Sequence, residues 1–120
     1  MVPATVAQLV KGMPKVELHR HLEGSIRPAT ILDLFRRNLG MYRDTPLEEI
    51  IPNVQVTGNE RSLADFLAKF EFFMGCIRSA DDVKRITAEV IDDCAAEGII
   101  HSELRFSPAF IKQLTGLGLI

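Results

Sequence analysis

Apolar positions change their period several times along the 120 residues, and each change marks an element. Val6, Leu9 and Val10 fall at helical spacing, so Met1 to Lys11 reads as a short leading turn or helix that Gly12-Met13-Pro14 ends. From Lys15 to Leu22 the period shortens to two, which predicts a strand, and Gly24-Ser25 breaks it. Pro28 suits the first turn of a helix, and Ile31, Leu32, Leu34 and Phe35 carry its stripe to about Asn38, with Leu39 and Gly40 closing it. Residues 41–61 hold two prolines and a glycine and read as mostly irregular, with one helical turn at Leu47 to Ile51. Ser62 with Asp65 signals a helix start in the manner of a capping box, and that helix runs to about Met74. Ser79 with Asp82 repeats the signal. Val83, Ile86, Val90 and Ile91 then follow at helical spacing until Gly98. Ile99 to Ser107 alternates again as a second strand, which Pro108 ends.

Strand, helices, strand is the order of an α/β protein whose parallel strands return through helical crossovers. No repeat or linker divides the chain, so it forms one unit. A closed barrel of eight such units takes about 250 residues. Two strands alone leave both sheet edges unpaired, so the expectation is a fragment or a chain that needs a partner.

Composition narrows the class. With 47% hydrophobic and 25% charged residues the chain can bury a core, and its 14 Lys+Arg against 16 Asp+Glu give a net charge of -2, which argues against nucleic-acid binding. No apolar run approaches the roughly 18 residues of a membrane span, and no cleavable leader is evident, so the expected location is the cytoplasm. Cys76 and Cys94 lack metal-site or disulfide spacing and read as buried small apolar residues.

Alternation puts Glu17, His19 and His21 on one face of the first strand. Histidines at i and i+2 stand about 6.6 to 6.8 Å apart along a strand and point the same way, so both rings can reach one ion. They lie near the carboxyl end of the strand, where parallel sheets and barrels place their sites. Two ordinary hydrogen-bonded histidines fit the spacing as well. Gly24 adds backbone freedom beside them. On the second strand His101, Glu103 and Arg105 share a face opposite Ile100, Ser102, Leu104 and Phe106, and Glu17 or Glu103 is a candidate partner for Arg105. In a barrel the apolar set would pack on outer helices. Leu63, Phe66, Leu67, Phe70 and Phe73, with Phe72 beside them, form an aromatic stripe that suits either core or the wall of a pocket for a flat ring. The Walker, dinucleotide and serine-elbow motifs are missing, as is the signature of the base-flipping zinc deaminases.

The segment PKVELHRHLEGSIRPATIL resembles the opening of bacterial members of the adenosine deaminase family, in the metal-dependent amidohydrolase superfamily, and the likeness continues through LEEIIPNVQV, SLADFLAKFEFFM and EGIIHSELRFSP. The resemblance implies the N-terminal part of a (β/α)8 TIM barrel, incomplete in this chain, with one Zn2+ per complete active site. His19 and His21 match its first two zinc ligands, and His21 also lies close to the nucleoside. Glu23 falls where the family usually has an Asp that binds a ribose hydroxyl. Leu63, Phe66, Leu67 and Phe70 match the lid helix over the purine, and the ELRFSP strand matches supporting positions. The implied reaction is hydrolytic deamination of adenosine and deoxyadenosine to the inosine product with release of ammonia, in purine salvage. The family's remaining ligands, a later His and a late Asp, and the Glu of its His-Ala-Gly-Glu segment find no match here. No residue is therefore assigned a catalytic step, and the 120 residues alone are expected to be inactive. Glu23 leaves adenine or another 6-aminopurine open as substrate; a non-catalytic interaction module and a zinc shared between chains are the readings outside enzymology.

Overall fold

The computed structural model describes residues 4–115. Helix α1 (Ala4–Gly12) leads into strand β1 (Lys15–His21), a single 3-10 turn (Glu23–Ser25) and helix α2 (Pro28–Leu34). Helices α3 (Leu47–Val54), α4 (Leu63–Met74) and α5 (Ala80–Ala96) follow, then strand β2 (Ile99–Arg105) and helix α6 (Pro108–Thr115). Met1 to Pro3, at the start of the first expected helix, lie outside the described residues.

The strands pair in parallel as expected, with Lys15 opposite Ile99, Glu17 opposite Ser102 and His21 opposite Arg105. The register shifts after Lys15 and again after Glu17, so the even alternation expected of β1 is interrupted. Gly98, at φ 74°, makes the turn from α5 into β2, a conformation that costs a residue with a side chain. Its carbonyl accepts the Lys15 N–H at 2.9 Å, which begins the pairing.

The core lies between the helices and one side of the sheet, where Ile31 and Leu34 of α2 meet Phe73 and Met74 of α4 and Ile86 and Val90 of α5. Both cysteines are buried and free, as expected. Burial pushes the Cys76 thiol up to about 12, so it stays protonated, and Cys94 Sγ accepts a hydrogen bond from Arg20 at 2.8 Å. Ion pairs bind α5 to the segment after β1: Arg27 grips Asp93 through Nε and Nη2, and Arg85, itself paired with Glu89 one turn on in α5, reaches Asp33 of α2.

Several expectations are corrected. Helix α3 runs past Pro52 to Val54, because a proline near a helix end removes only the bond to the Glu48 carbonyl while Gln55 N–H still reaches Ile51 O at 2.9 Å. Pro108 does not merely end β2; it opens α6, with the Ser107 hydroxyl accepting the Phe110 N–H at 3.4 Å. The close of the second helix is kept as expected, with Gly40 in the left-handed region after a wider π turn (Phe35–Leu39) that extends α2. On β2, Leu104 packs on the core, but Ile100 is 74% exposed and Phe106 is also exposed, since no further helix among the described residues covers that part of the sheet. Neither Glu17 nor Glu103 pairs with Arg105 among the described residues: Glu17 accepts the His19 backbone N–H, and Glu103 lies 3.9 Å from His101.

Candidate active site

The carboxyl ends of the two strands open onto a cleft of about 1260 Å³. His19 and His21 stand at its floor with their Nε2 atoms 3.1 Å apart and the rings tilted by 48°. Two nitrogens each 2.0–2.1 Å from one tetrahedral ion are about 3.3 Å apart, so this pair already has the spacing of two ligands of one metal. The spacing equally allows one ring to donate to the other. Glu17 Oε1 holds the His19 backbone N–H at 3.0 Å, and the Ser25 hydroxyl donates to the His21 carbonyl at 2.7 Å, so β1 is pinned on both sides of the pair. Among the described residues no group of three or more metal-binding side chains gathers here.

Glu23 is buried in the first turn after β1, and its Oε1 accepts the Ser107 backbone N–H at 2.7 Å. One oxygen thus joins the loops that follow the two strands. Gly24 does not use a left-handed conformation, contrary to the freedom expected of it. A Cβ there would touch the Phe70 ring and His21 at 3.6 Å, an ordinary contact.

The aromatic helix α4 contributes to both the core and the cleft. Phe73 and Met74 are buried in the core, Phe66, Leu67 and Phe70 line the cleft with the histidines, and Phe73 borders it as well. Phe66 meets Phe70 edge to face at 5.3 Å. Leu63 is 71% exposed and does not line the cleft, so of the four lid residues expected from the sequence three reach the site. Sequence reasoning passed over Lys69 of α4 and the residues Val54, Gln55 and Val56, which also border the cleft. The signal was available, since Lys69 stands between Phe66 and Phe70 in a run otherwise rich in apolar side chains.

A parallel β/α unit with a histidine pair at the carboxyl end of its first strand has the form of the N-terminal part of a TIM barrel, whose sites lie at that end. The chain belongs to the adenosine deaminase family, whose profile, described as "Adenosine deaminase", matches residues 14–119. It is 43% identical over 102 residues to an adenosine deaminase of Escherichia coli (strain SMS-3-5 / SECEC), and 43% identical over 102 residues to one of Salmonella newport (strain SL254). Each match covers 84% of this chain and 30% of the relative, so the chain spans about 30% of the length of these curated relatives. Among solved structures, the complex of ADAL with IMP is similar at a TM-score of 0.66 and 36% identity, over 84% of this chain and 29% of that one. The apo N6-methyl-AMP deaminase of Arabidopsis thaliana is similar at 0.63 and 35% identity, over 84% and 28%.

Proposed function

We propose that these residues supply two zinc ligands and the ring-binding wall of a site that hydrolyses adenosine or deoxyadenosine to the inosine product and ammonia. The observation that carries the reading is the 3.1 Å separation of His19 and His21 Nε2 beneath the Phe66–Phe70 wall, in a chain of this family. The curated relatives are adenosine deaminases and one solved relative is an N6-methyl-AMP deaminase, so a purine bearing nitrogen at C6 is the substrate chemistry these share; the IMP bound in another carries oxygen at C6, as a deaminated product does. Zinc, when bound, supplies the Lewis acidity that brings the pKa of water toward about 7.

The chain's own groups then have separate tasks. Neutral imidazoles of His19 and His21 hold the metal, and Glu17 and Ser25 fix the backbone on either side of them. Phe66, Leu67 and Phe70 cover the flat ring and exclude water from its face. Glu23 keeps Oε1 on Ser107 and offers Oε2 to a hydroxyl of the sugar. The remaining metal ligands and the proton donor to the ring come from outside the described residues, and residues 1–120 on their own are inactive. The site works in the cytoplasm, consistent with the absence, among the described residues, of a helix long and apolar enough to cross a membrane.

Turnover of adenosine, deoxyadenosine, adenine and N6-methyl-AMP by the native polypeptide, with its zinc content measured, tests the proposal. Adenosine is expected to lead, and His19→Ala and His21→Ala each to lose zinc and activity. Preference for adenine would shift the reading to a free-base deaminase, and full zinc retention in both histidine variants would end the metal assignment. Steady deamination by a purified 120-residue chain of confirmed mass would end the claim that it is inactive alone.

A further inference from the structure

We infer that Lys69 and Glu60 are positioning residues that fasten the connector between α3 and α4 to the lid helix, so that both walls of the cleft are set as one piece. Lys69 leaves α4 between the two aromatic residues that face the cleft, and its Nζ donates to the Pro52 carbonyl at 2.7 Å and to Glu60 Oε1 at 2.8 Å. Glu60 in turn closes the connector on itself. Its Oε1 accepts from Thr57 N–H at 3.1 Å and from the Thr57 hydroxyl at 3.2 Å, and its Oε2 accepts from Gly58 N–H at 2.9 Å. The two side chains are only 14% and 12% exposed, although most of residues 55–62 is exposed. This separates them from a solvated surface pair, which holds little in place. The Lys69 hydrogen bond, ahead of those from the connector backbone, holds the Glu60 carboxyl down to about 2, so this carboxylate stays charged through the neutral range.

The consequence lies in what the fastened segment carries. Val54, Gln55 and Val56 border the cleft on one side of this tie, and Phe66, Leu67 and Phe70 border it on the other. Gly58, at φ 85°, bends the connector and leaves it little rigidity of its own. With the lysine removed, the end of α3 loses its tie to α4 at Pro52 and the connector loses its tie at Glu60, and the two walls part. A ring bound between them loses contact area in its ground state and transition state alike, which is a loss of uniform binding.

This effect on ligand rests on the nucleoside reading above, whereas the fastening itself does not. The test compares the native polypeptide with Lys69→Met, Lys69→Arg and Glu60→Gln, reading amide hydrogen exchange at Thr57 and Gly58 and the kinetics of adenosine turnover. Lys69→Met is expected to speed exchange at both amides about tenfold or more. It should also raise KM for adenosine about tenfold while kcat stays within about twofold. Lys69→Arg should restore both readings, and Glu60→Gln, which keeps the side-chain size, should speed the same amides if Lys69→Met does not fold. Unchanged exchange in Lys69→Met, or a fall in kcat with KM constant, overturns the inference. If the unaltered protein does not act on adenosine, the nucleoside reading fails, and the exchange of Thr57 and Gly58 alone decides whether Lys69 fastens the connector.

Discussion

Helices α4 and α5 begin with the same four-residue signal and are held in different ways. Ser79 accepts the Asp82 N–H at 3.1 Å, and Asp82 returns to the Ser79 N–H at 3.1 Å, which closes the box at the start of α5. Asp82 is 1% exposed and also accepts from the Arg78 N–H and the Asn38 amide, with Arg37 paired to its other oxygen. At α4 the Ser62 hydroxyl accepts the Asp65 N–H at 3.2 Å, but Asp65 turns to the Arg61 N–H and remains exposed. A local motif therefore says where a helix starts, and tertiary partners decide how firmly that start is held. Helix α5 is anchored at its start and seated on the sheet, whereas α4 is buried at its end and open at its start. The cleft is bordered by the stretch between, from Phe66 to Phe73, and not by the first residues of α4.

The largest expected effect sets the two ends of α4 against each other. Phe73→Ala removes a buried ring and should cost about 3–5 kcal/mol in denaturant unfolding. Phe66→Ala, at the open end, should cost less than about 1 kcal/mol and act on ligand binding instead. Equal losses at both sites would mean that Phe66 is core and not lid. Next in size is the contrast between the two caps' acids. Asp82→Ala strands Arg37, Asn38 and two backbone N–H groups and should cost about 3 kcal/mol, whereas Asp65→Ala should cost about 0.5 kcal/mol.

Acid sharpens the same contrast. Burial pushes the Asp82 carboxyl up, but hydrogen bonds from Arg78 N–H, Asn38 and Ser79 and the charge of Arg37 outweigh it and leave it below the usual carboxylate value. A depressed folded value means the added stability is complete above about pH 3.9, the unfolded value, and is lost as pH falls from there through the folded one. Denaturant midpoints measured between about pH 5 and 2 should therefore fall more steeply for the native chain than for Asp82→Asn. Parallel slopes would show that Asp82 is not charged in the folded protein.

Much of this was legible in the chain itself because the signals were local. Pro28, Ser62 and Ser79 mark helix starts that the structure keeps, and the His19–His21 spacing places both rings on one side of β1. What escaped depended on distant partners. Glu23 read as a ligand for substrate, and only the fold shows that Ser107, 84 residues away, takes one of its oxygens. Arg105 was expected to need a carboxylate, yet it sits on a sheet face left open among the described residues and needs none. Leu63 has the period of the lid stripe but lies at the first residue of α4, too far along the helix to reach the cleft. Among the local signals, Gly24 makes no left-handed turn and Pro52 lies inside α3 in a stretch that reads as mostly irregular, whereas Pro108 follows the end of β2 as expected and also opens α6.

The smallest expected effect isolates the caps from everything they are attached to. Ser79→Ala removes one acceptor from the Asp82 N–H but leaves the Asp82 carboxylate with its other partners, so it should cost about 1 kcal/mol, the ordinary value of a lost N-cap. Ser62→Ala removes the same bond from a helix start that is exposed, where water replaces the hydroxyl, and should cost about 0.5 kcal/mol. Urea midpoints at constant slope measure both. If Ser62→Ala proved the costlier, the start of α4 would be held more firmly than that of α5, and the Lys69–Glu60 tie would have nothing to add.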